Sequence, residues 1–336
     1  MKIKNVFIII TPFQYKVMKK LFKKTIYASD TVIFYTKIVN IDSNHIGEIE
    51  KLGFTSFSID ALKKEPFKYI PFYRNEFKKI RVYILKKLES YDFSDKLKII
   101  IGTDKDNFTQ IFLNILYAIN NLNIELSAIE EGSGFYRKEK IKDKLLSTIY
   151  KLLTPILFSE KIQYHKQLGT DKRIDKVYAR IPESIPKNSS SNKVSYIKYS
   201  LNTKRIFDEK LAKDILIFSF PNRNYNINDK QQIKILQNLV NRLGKGEKVM
   251  IKPHPREPLH VVSAITNAHI INQLSSGEDL DYFKFKKIIN FNSSVVIDLL
   301  SSGYQKERIY TINLDNSDIA FFEETHYINI KDINKI

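Results

Sequence analysis

The sequence predicts an α/β protein built from two Rossmann-like domains. Three observations lead there: short β-branched runs alternate with helical stretches, the alternation breaks once and resumes, and 336 residues provide for two cores of roughly 150 residues each. The break falls at 186–204, where Asn188-Ser189-Ser190-Ser191 and nearby prolines read as a linker. Residues 1–185 and 205–336 are thus the expected N-terminal and C-terminal domains, with a ligand cleft between them lined by the carboxyl ends of strands.

Along the first domain, Val6–Ile10, Thr31–Tyr35, Leu97–Ile101 and Ile124–Ile129 are expected as buried strands. Gln14–Lys24, Asn75–Tyr91 and Asn107–Asn121 are its amphipathic helices. In the second domain the expected strands are Ile215–Phe218, Lys248–Ile251, His269–Ile271, Lys287–Asn290 and Arg308–Ile312, with helices at Asp229–Leu243 and Ser294–Leu300. Strands separated by helices call for a mostly parallel sheet in each domain. Met1–Ile10 runs into polar Thr11 and Gln14 without a small-residue cleavage site, so it reads as a first strand rather than a signal peptide.

One segment stands apart. Arg137–Phe158 opens basic (Arg137, Lys138, Lys140, Lys142, Lys144) and turns apolar (Leu145, Leu146, Ile149, Leu152, Leu153, Ile156, Leu157). Two readings stay open: a helix lying on an anionic membrane, or one packing its apolar face on the domain.

Composition narrows the function. The chain has no cysteine, which excludes disulfides and thiolate metal sites. No apolar run reaches the roughly 20 residues that span a bilayer, so a soluble, cytoplasmic protein is expected, peripheral at most on the inner membrane face through 137–158. A formal charge of +18 calls for an anionic partner. The lysines are spread along the chain without an RNP pattern or zinc finger, which points to a membrane surface or acidic substrate and away from nucleic acid.

Three clusters sit where strands end. In Ile129-Glu130-Glu131-Gly132-Ser133-Gly134 an apolar strand stops in two carboxylates; this suits a general base taking a hydroxyl proton, and an acidic turn reads the same way. In Lys252-Pro253-His254-Pro255-Arg256-Glu257, prolines stiffen the backbone around an imidazole flanked by cations, an arrangement for gripping a phosphate; a proline-rich strand exit is the alternative. Asn292-Ser293-Ser294 precedes a helix, where serines cap and the same N–H groups and hydroxyls receive an anion.

These clusters, in this order, with Thr11-Pro12-Phe13-Gln14 closing the first strand, resemble the bacterial sialyltransferases, including glycosyltransferase family 52 and the capsular polysialyltransferases. Those families share a D/E-D/E-G motif, an H-P motif and a serine motif, and the resemblance spans most of the chain. It implies a GT-B architecture, two Rossmann-like domains facing each other across a cleft. It also implies a CMP-sialic acid donor, a cell-surface glycan acceptor of lipooligosaccharide or capsule type, inversion at the anomeric carbon, and no metal or other cofactor. By the same resemblance Glu130 is expected as general base, with Glu131 as its alternative, and His254 as the residue that contacts the CMP phosphate and assists its departure. Lys252, Pro255, Arg256, Asn292, Ser293 and Ser294 are the expected donor contacts. The base then belongs to the N-terminal domain and the donor site to the C-terminal one. Family 52 also points to Asp229, shortly before the H-P motif, as a base. Gln14, Gly132 and Asp104, at the ends of strands, are expected to touch substrate.

Several motifs carry no chemistry. Asp279-Leu280-Asp281 spells D-x-D but lies in an expected helix start, Ser275–Phe283, where acidic residues meet the dipole. Gly244-Lys245-Gly246 lacks the spacing of a phosphate-binding P-loop, and the histidines outside the H-P motif lack metal-ligand spacing. The competing readings are a transferase of the same architecture using CMP-Kdo or a CDP-alditol, and a non-enzymatic basic protein that docks to membrane or polysaccharide through 137–158.

Overall fold

A computed structural model describes residues 2–22, 27–36, 47, 49–59, 70–104, 107–118, 123–130, 132–138, 141–158, 168–186, 194–201, 208, 212–221, 225, 227–254, 257–272, 280–314 and 325–329. The chain divides into two compact units, Met1–Tyr199 and Ser200–Ile336.

In the first unit the described strands are β1 (Lys2–Ile9), β2 (Thr31–Thr36), β3 (Thr55–Ile59), β4 (Asp92–Ile101), β5 (Asn123–Ile129), β6 (Lys176–Ala179) and β7 (Ser195–Lys198). They form one sheet in the order β3-β2-β1-β4-β5-β6-β7, with each neighbouring pair parallel. Among its described helices are α1 (Pro12–Phe22), α2 (Ile70–Leu88), α3 (Asn107–Ala118) and α4 (Ile141–Phe158). A parallel sheet with helices on its faces buries strands on both sides, which is why β1 and β4 end in the unbroken apolar runs Val6–Ile9 and Ile99–Ile101. The winding direction reverses between β1 and β4, the position where doubly wound sheets open a crevice at the strands' carboxyl ends.

The second unit repeats the plan. The strands β8 (Asp214–Phe218), β9 (Val249–Lys252), β10 (His269–Ile270), β11 (Phe285–Asn290), β12 (Ile309–Asn313) and β13 (His326–Asn329) are ordered β10-β9-β8-β11-β12-β13, all parallel. Among the described residues the helices α5 (Asp229–Leu243), α6 (Leu259–Ser263) and α7 (Val295–Ser302) accompany them. Helix α5 starts on a reciprocal cap: Asn228 Oδ1 accepts from the Gln231 N–H at 2.9 Å and Gln231 Oε1 from the Asn228 N–H at 3.0 Å. It buries Gln232, Leu236, Leu239 and Val240, the spacing of one helical face, against Ile215, Ile217, Val249 and Ile251 of the sheet.

Departures from the sequence reading are local. Strand β7 falls inside the stretch expected to be a linker and completes the edge of the first sheet; Asn188–Ser191 lies outside the described residues. Strands β3, β6 and β13 were not anticipated. Asp281 precedes a single 3-10 turn, Tyr282–Lys284, rather than opening an α-helix, and Asp279 lies outside the described residues. Among the described residues no helix is long and apolar enough to cross a membrane.

Candidate active site

The residues singled out in the sequence gather at the carboxyl ends of the two sheets, each set within its own unit. In the first unit, Thr11-Pro12-Phe13-Gln14 is a helix start. The Thr11 hydroxyl accepts from the Gln14 N–H at 3.3 Å, and Gln14 Oε1 accepts from the N–H groups of Ile10 at 2.6 Å and Thr11 at 3.3 Å. That is a capping box, and Pro12 stands at the first helical position, where no N–H is needed. The Gln14 side chain is buried and crosses the backbone of Gly102, where an added Cβ would lie 1.9 Å from its amide carbon. Gln14 therefore shapes the junction of β1, β4 and α1.

Asp104, after β4, is fully buried and does not point outward. Its carboxylate accepts three main-chain N–H groups, from Gly169 at 3.0 Å and from Thr170 and Asp171 at 2.9 Å each. The loop it clasps is tight: Gly169 has φ +76°, and a Cβ there would meet the Phe135 ring at 2.4 Å. Beside it, burial pushes the Asp171 carboxyl upward, but hydrogen bonds and charge from Arg173, with a further bond from Gln110, hold it below its ordinary value.

Glu130, the expected base, is also fully buried. Arg180 grips it from both sides, with Nη2 donating to Oε1 at 2.5 Å and Nε to Oε2 at 3.1 Å. The main-chain N–H of Arg180 and the hydroxyl of Tyr136 each donate to Oε2 at 2.9 Å. Three donors thus converge on Oε2 and one on Oε1 of a fully buried carboxylate, so in this conformation Glu130 has no face turned to an incoming hydroxyl. Gly132, at φ +62°, opens the 3-10 turn Gly132–Tyr136 that delivers the Tyr136 hydroxyl. Burial and the neighbouring Glu130 charge hold that phenol above its usual range. The Arg180 guanidinium lies 4.7 Å over the Phe13 ring, which links the Glu130 network to the helix start after β1. Glu131 lies outside the described residues.

In the second unit, β9 delivers Lys252-Pro253-His254. Lys252 is buried and its ammonium donates to its neighbour's carbonyl, Pro253 O, at 2.9 Å, so it does not extend outward as the expected phosphate grip. His254 is half-buried, and its main-chain N–H is held by Ser219 Oγ and Glu257 Oε2, both at 3.1 Å. Glu257 organises the turn. Its N–H donates to His254 O at 2.9 Å, the Ser219 hydroxyl donates to Oε2, and Gln232 of α5 donates to Oε1 at 2.5 Å and to Phe220 O at 2.6 Å. Burial pushes Glu257 up to about 7, against the opposing hydrogen bonds of Ser219 and His254 and the charge of Lys252. Pro255 and Arg256 lie outside the described residues.

After β11, Asn290 is buried, accepts from the Ser293 N–H at 3.1 Å and donates to Thr311 Oγ1 at 3.0 Å. Asn292 adopts φ +49° and donates to Asn313 Oδ1 at 3.3 Å. Ser293 Oγ accepts from the Val295 N–H at 3.3 Å, whereas Ser294 makes no side-chain cap bond at the start of α7. The helix start is thus held by Asn290 and Ser293, and the Ser294 hydroxyl sits at its positive end. Asp229, the other proposed base, is half-exposed at the first position of α5 and pairs with His260 Nε2 at 2.6 Å.

Arg180, Tyr136, Ser219, Gln232 and Glu257 hold the two strand-end clusters, and sequence reasoning missed their roles. Arg180 and Glu130 are 50 positions apart and meet because β5 and β6 are neighbours.

The fold is that of GT-B glycosyltransferases. CalG4, the calicheamicin glycosyltransferase, superposes with a TM-score of 0.57 at 9% identity, covering 99% of this chain and 87% of that one. MurG of Acinetobacter baumannii does so with 0.50 at 10% identity, covering 99% and 89%. Residues 5–297 match the sequence profile of the alpha-2,8-polysialyltransferase family, and the chain belongs to that family. An uncharacterized protein of Haemophilus influenzae is 21% identical over 202 residues; the match spans 54% of this chain and 60% of that protein's length. The family match covers most of the chain, and the likeness to these solved structures is one of fold.

Proposed function

We propose that the protein moves sialic acid from CMP-sialic acid to a hydroxyl of a cell-surface glycan of lipooligosaccharide or capsule type, with inversion and without a metal. The family match across residues 5–297 carries this reading, and the position of the E-E-G, H-P and serine motifs at strand ends supports it. In the reaction the anomeric C–O bond to the CMP phosphate breaks while the acceptor oxygen attacks the opposite face and gives up its proton. The transition state is oxocarbenium-like, and a carboxylate takes the proton.

Within the acidic pair, Glu131 takes that proton and Glu130 anchors the strand end, because the oxygens of Glu130 are already committed to Arg180 and Tyr136. In the second unit, His254 gives a hydrogen bond or proton to the departing phosphate, and the Ser294 hydroxyl at the start of α7 adds to the grip. The N-terminal unit is then the acceptor side and the C-terminal unit the donor side.

A thermal-shift titration with CMP, CDP, UMP and UDP tests the donor. CMP near a hundred times its Kd should raise the melting temperature by about 5 °C, and His254→Ala should remove most of that rise. Transfer from CMP-sialic acid should exceed transfer from CMP-Kdo. A preference for UDP or CDP, or an unchanged CMP response in His254→Ala, would overturn the assignment.

A further inference from the structure

Helix α4 is built inside out. Ile141, Leu152 and Ile156 are 89%, 67% and 75% exposed, and Leu145, Leu146, Ile149 and Leu153 are exposed as well. At 100° per residue these seven side chains fall within an arc of about 140°, one continuous stripe along the helix. Among the described side chains of α4, only Ser147, Tyr150 and Thr154 are turned away from solvent, at the i, i+3, i+7 spacing of the opposite face. The helix packs on α2, so it meets the protein with its polar side and offers its aliphatic side outward. The exposed stripe is on the order of 700 Å², larger than the few hundred that a typical soluble monomer leaves uncovered.

We propose that this stripe is the site where the protein docks on an anionic lipid bilayer, with α4 lying in the plane of the headgroups. The charge chooses the occupant. Exposed Lys144 and Lys151 lie along one margin of the stripe, Lys138 precedes it, and the whole chain carries +18. A second copy would bring the same charge to the same face and be repelled, whereas acidic headgroups attract it, by about a factor of five in affinity for each lysine near the surface. The stripe is purely aliphatic, without the Trp, Tyr or Arg anchors that concentrate binding energy at protein interfaces. Eighteen residues make a helix about 27 Å long, and its lysines place it along the surface rather than across it. The tether holds the enzyme at the surface on which a lipid-linked glycan acceptor is built; this last point rests on the transferase reading, but the docking does not.

Vesicle co-sedimentation tests it without any transfer assay. The protein should pellet with phosphatidylcholine vesicles containing about 30% phosphatidylglycerol and stay in the supernatant with phosphatidylcholine alone. The variant Leu145→Ser/Leu152→Ser/Ile156→Ser alters only exposed positions, so its melting temperature should hold while vesicle affinity falls at least about a hundredfold. Lys144→Glu/Lys151→Glu should lower affinity roughly tenfold or more and flatten its salt dependence. Failure of the unaltered protein to bind acidic vesicles, or undiminished binding by the triple Ser variant, would overturn the proposal. So would a dimer in sedimentation velocity that the triple variant converts to a monomer while no vesicle binding is seen, because the face would then belong to a second copy.

Discussion

Glu257→Gln keeps the shape of the side chain that organises the His254 turn and removes its ability to ionise. Among the described residues, this carboxyl is faced by the Ser219 hydroxyl, the His254 main-chain N–H, the Gln232 amide and the buried Lys252 ammonium. Burial raises its pKa from 4.5 to about 7, so the folded protein holds the proton more tightly than the unfolded chain. Its contribution to stability is therefore complete below pH 4.5 and is lost as the pH rises through about 7. The shift sets an upper bound of about 3 kcal/mol on that loss. Glutamine cannot titrate, so the variant should lack this slope. It should also be less stable by about 1–3 kcal/mol, because either amide orientation turns an N–H toward a donor: Ser219 and His254 on one side, Gln232 on the other. Urea unfolding followed by circular dichroism at steps between about pH 4 and 8 measures both effects, and the difference between the two proteins cancels the other carboxylates. Parallel stability curves across that range would refute the assignment of the titration to Glu257.

Two further substitutions test the first unit. Glu130→Gln removes the carboxylate that the buried Arg180 guanidinium pairs with and should cost about 3–5 kcal/mol, whereas Glu131→Gln should abolish transfer at unchanged stability. If Glu130→Gln instead melts like the unaltered protein yet has no transfer, Glu130 is the base and the anchor role is wrong. Gly169→Ala forces a side chain onto a backbone at φ +76° and into the Phe135 ring, and should destabilise the protein by about 2–4 kcal/mol in urea unfolding. Near-neutral behaviour would mean that the Asp104-clasped loop is not packed as described.

The doubly wound plan was legible because its strongest signals are local. Strands β1, β4 and β8 carry runs of Ile, Leu, Val and Phe buried on both faces, and α5 lies where its apolar period and capping residues put it. Strands β6, β7 and β13 have four residues each with polar members, too few to show a period. β3 (Thr-Ser-Phe-Ser-Ile) lacks the apolar run of a central strand. All of these exist because a neighbouring strand pairs with them.

The site divides the same way. Residue types and order alone pointed to the acidic turn, the H-P turn and the serine turn, and Thr11–Gln14 spells its own cap. That Glu130 is spent on Arg180, that Asp104 clasps Gly169–Asp171, and that Glu257 holds His254 are consequences of which strands lie side by side, and no local pattern encodes that. Helix α4 shows the division most plainly. Its apolar stripe and basic margin are written in the order of residues, because a helix converts spacing into faces. Which face meets the protein is decided by the surface it docks on, and here that surface takes the polar side and leaves the aliphatic one open to whatever lies outside.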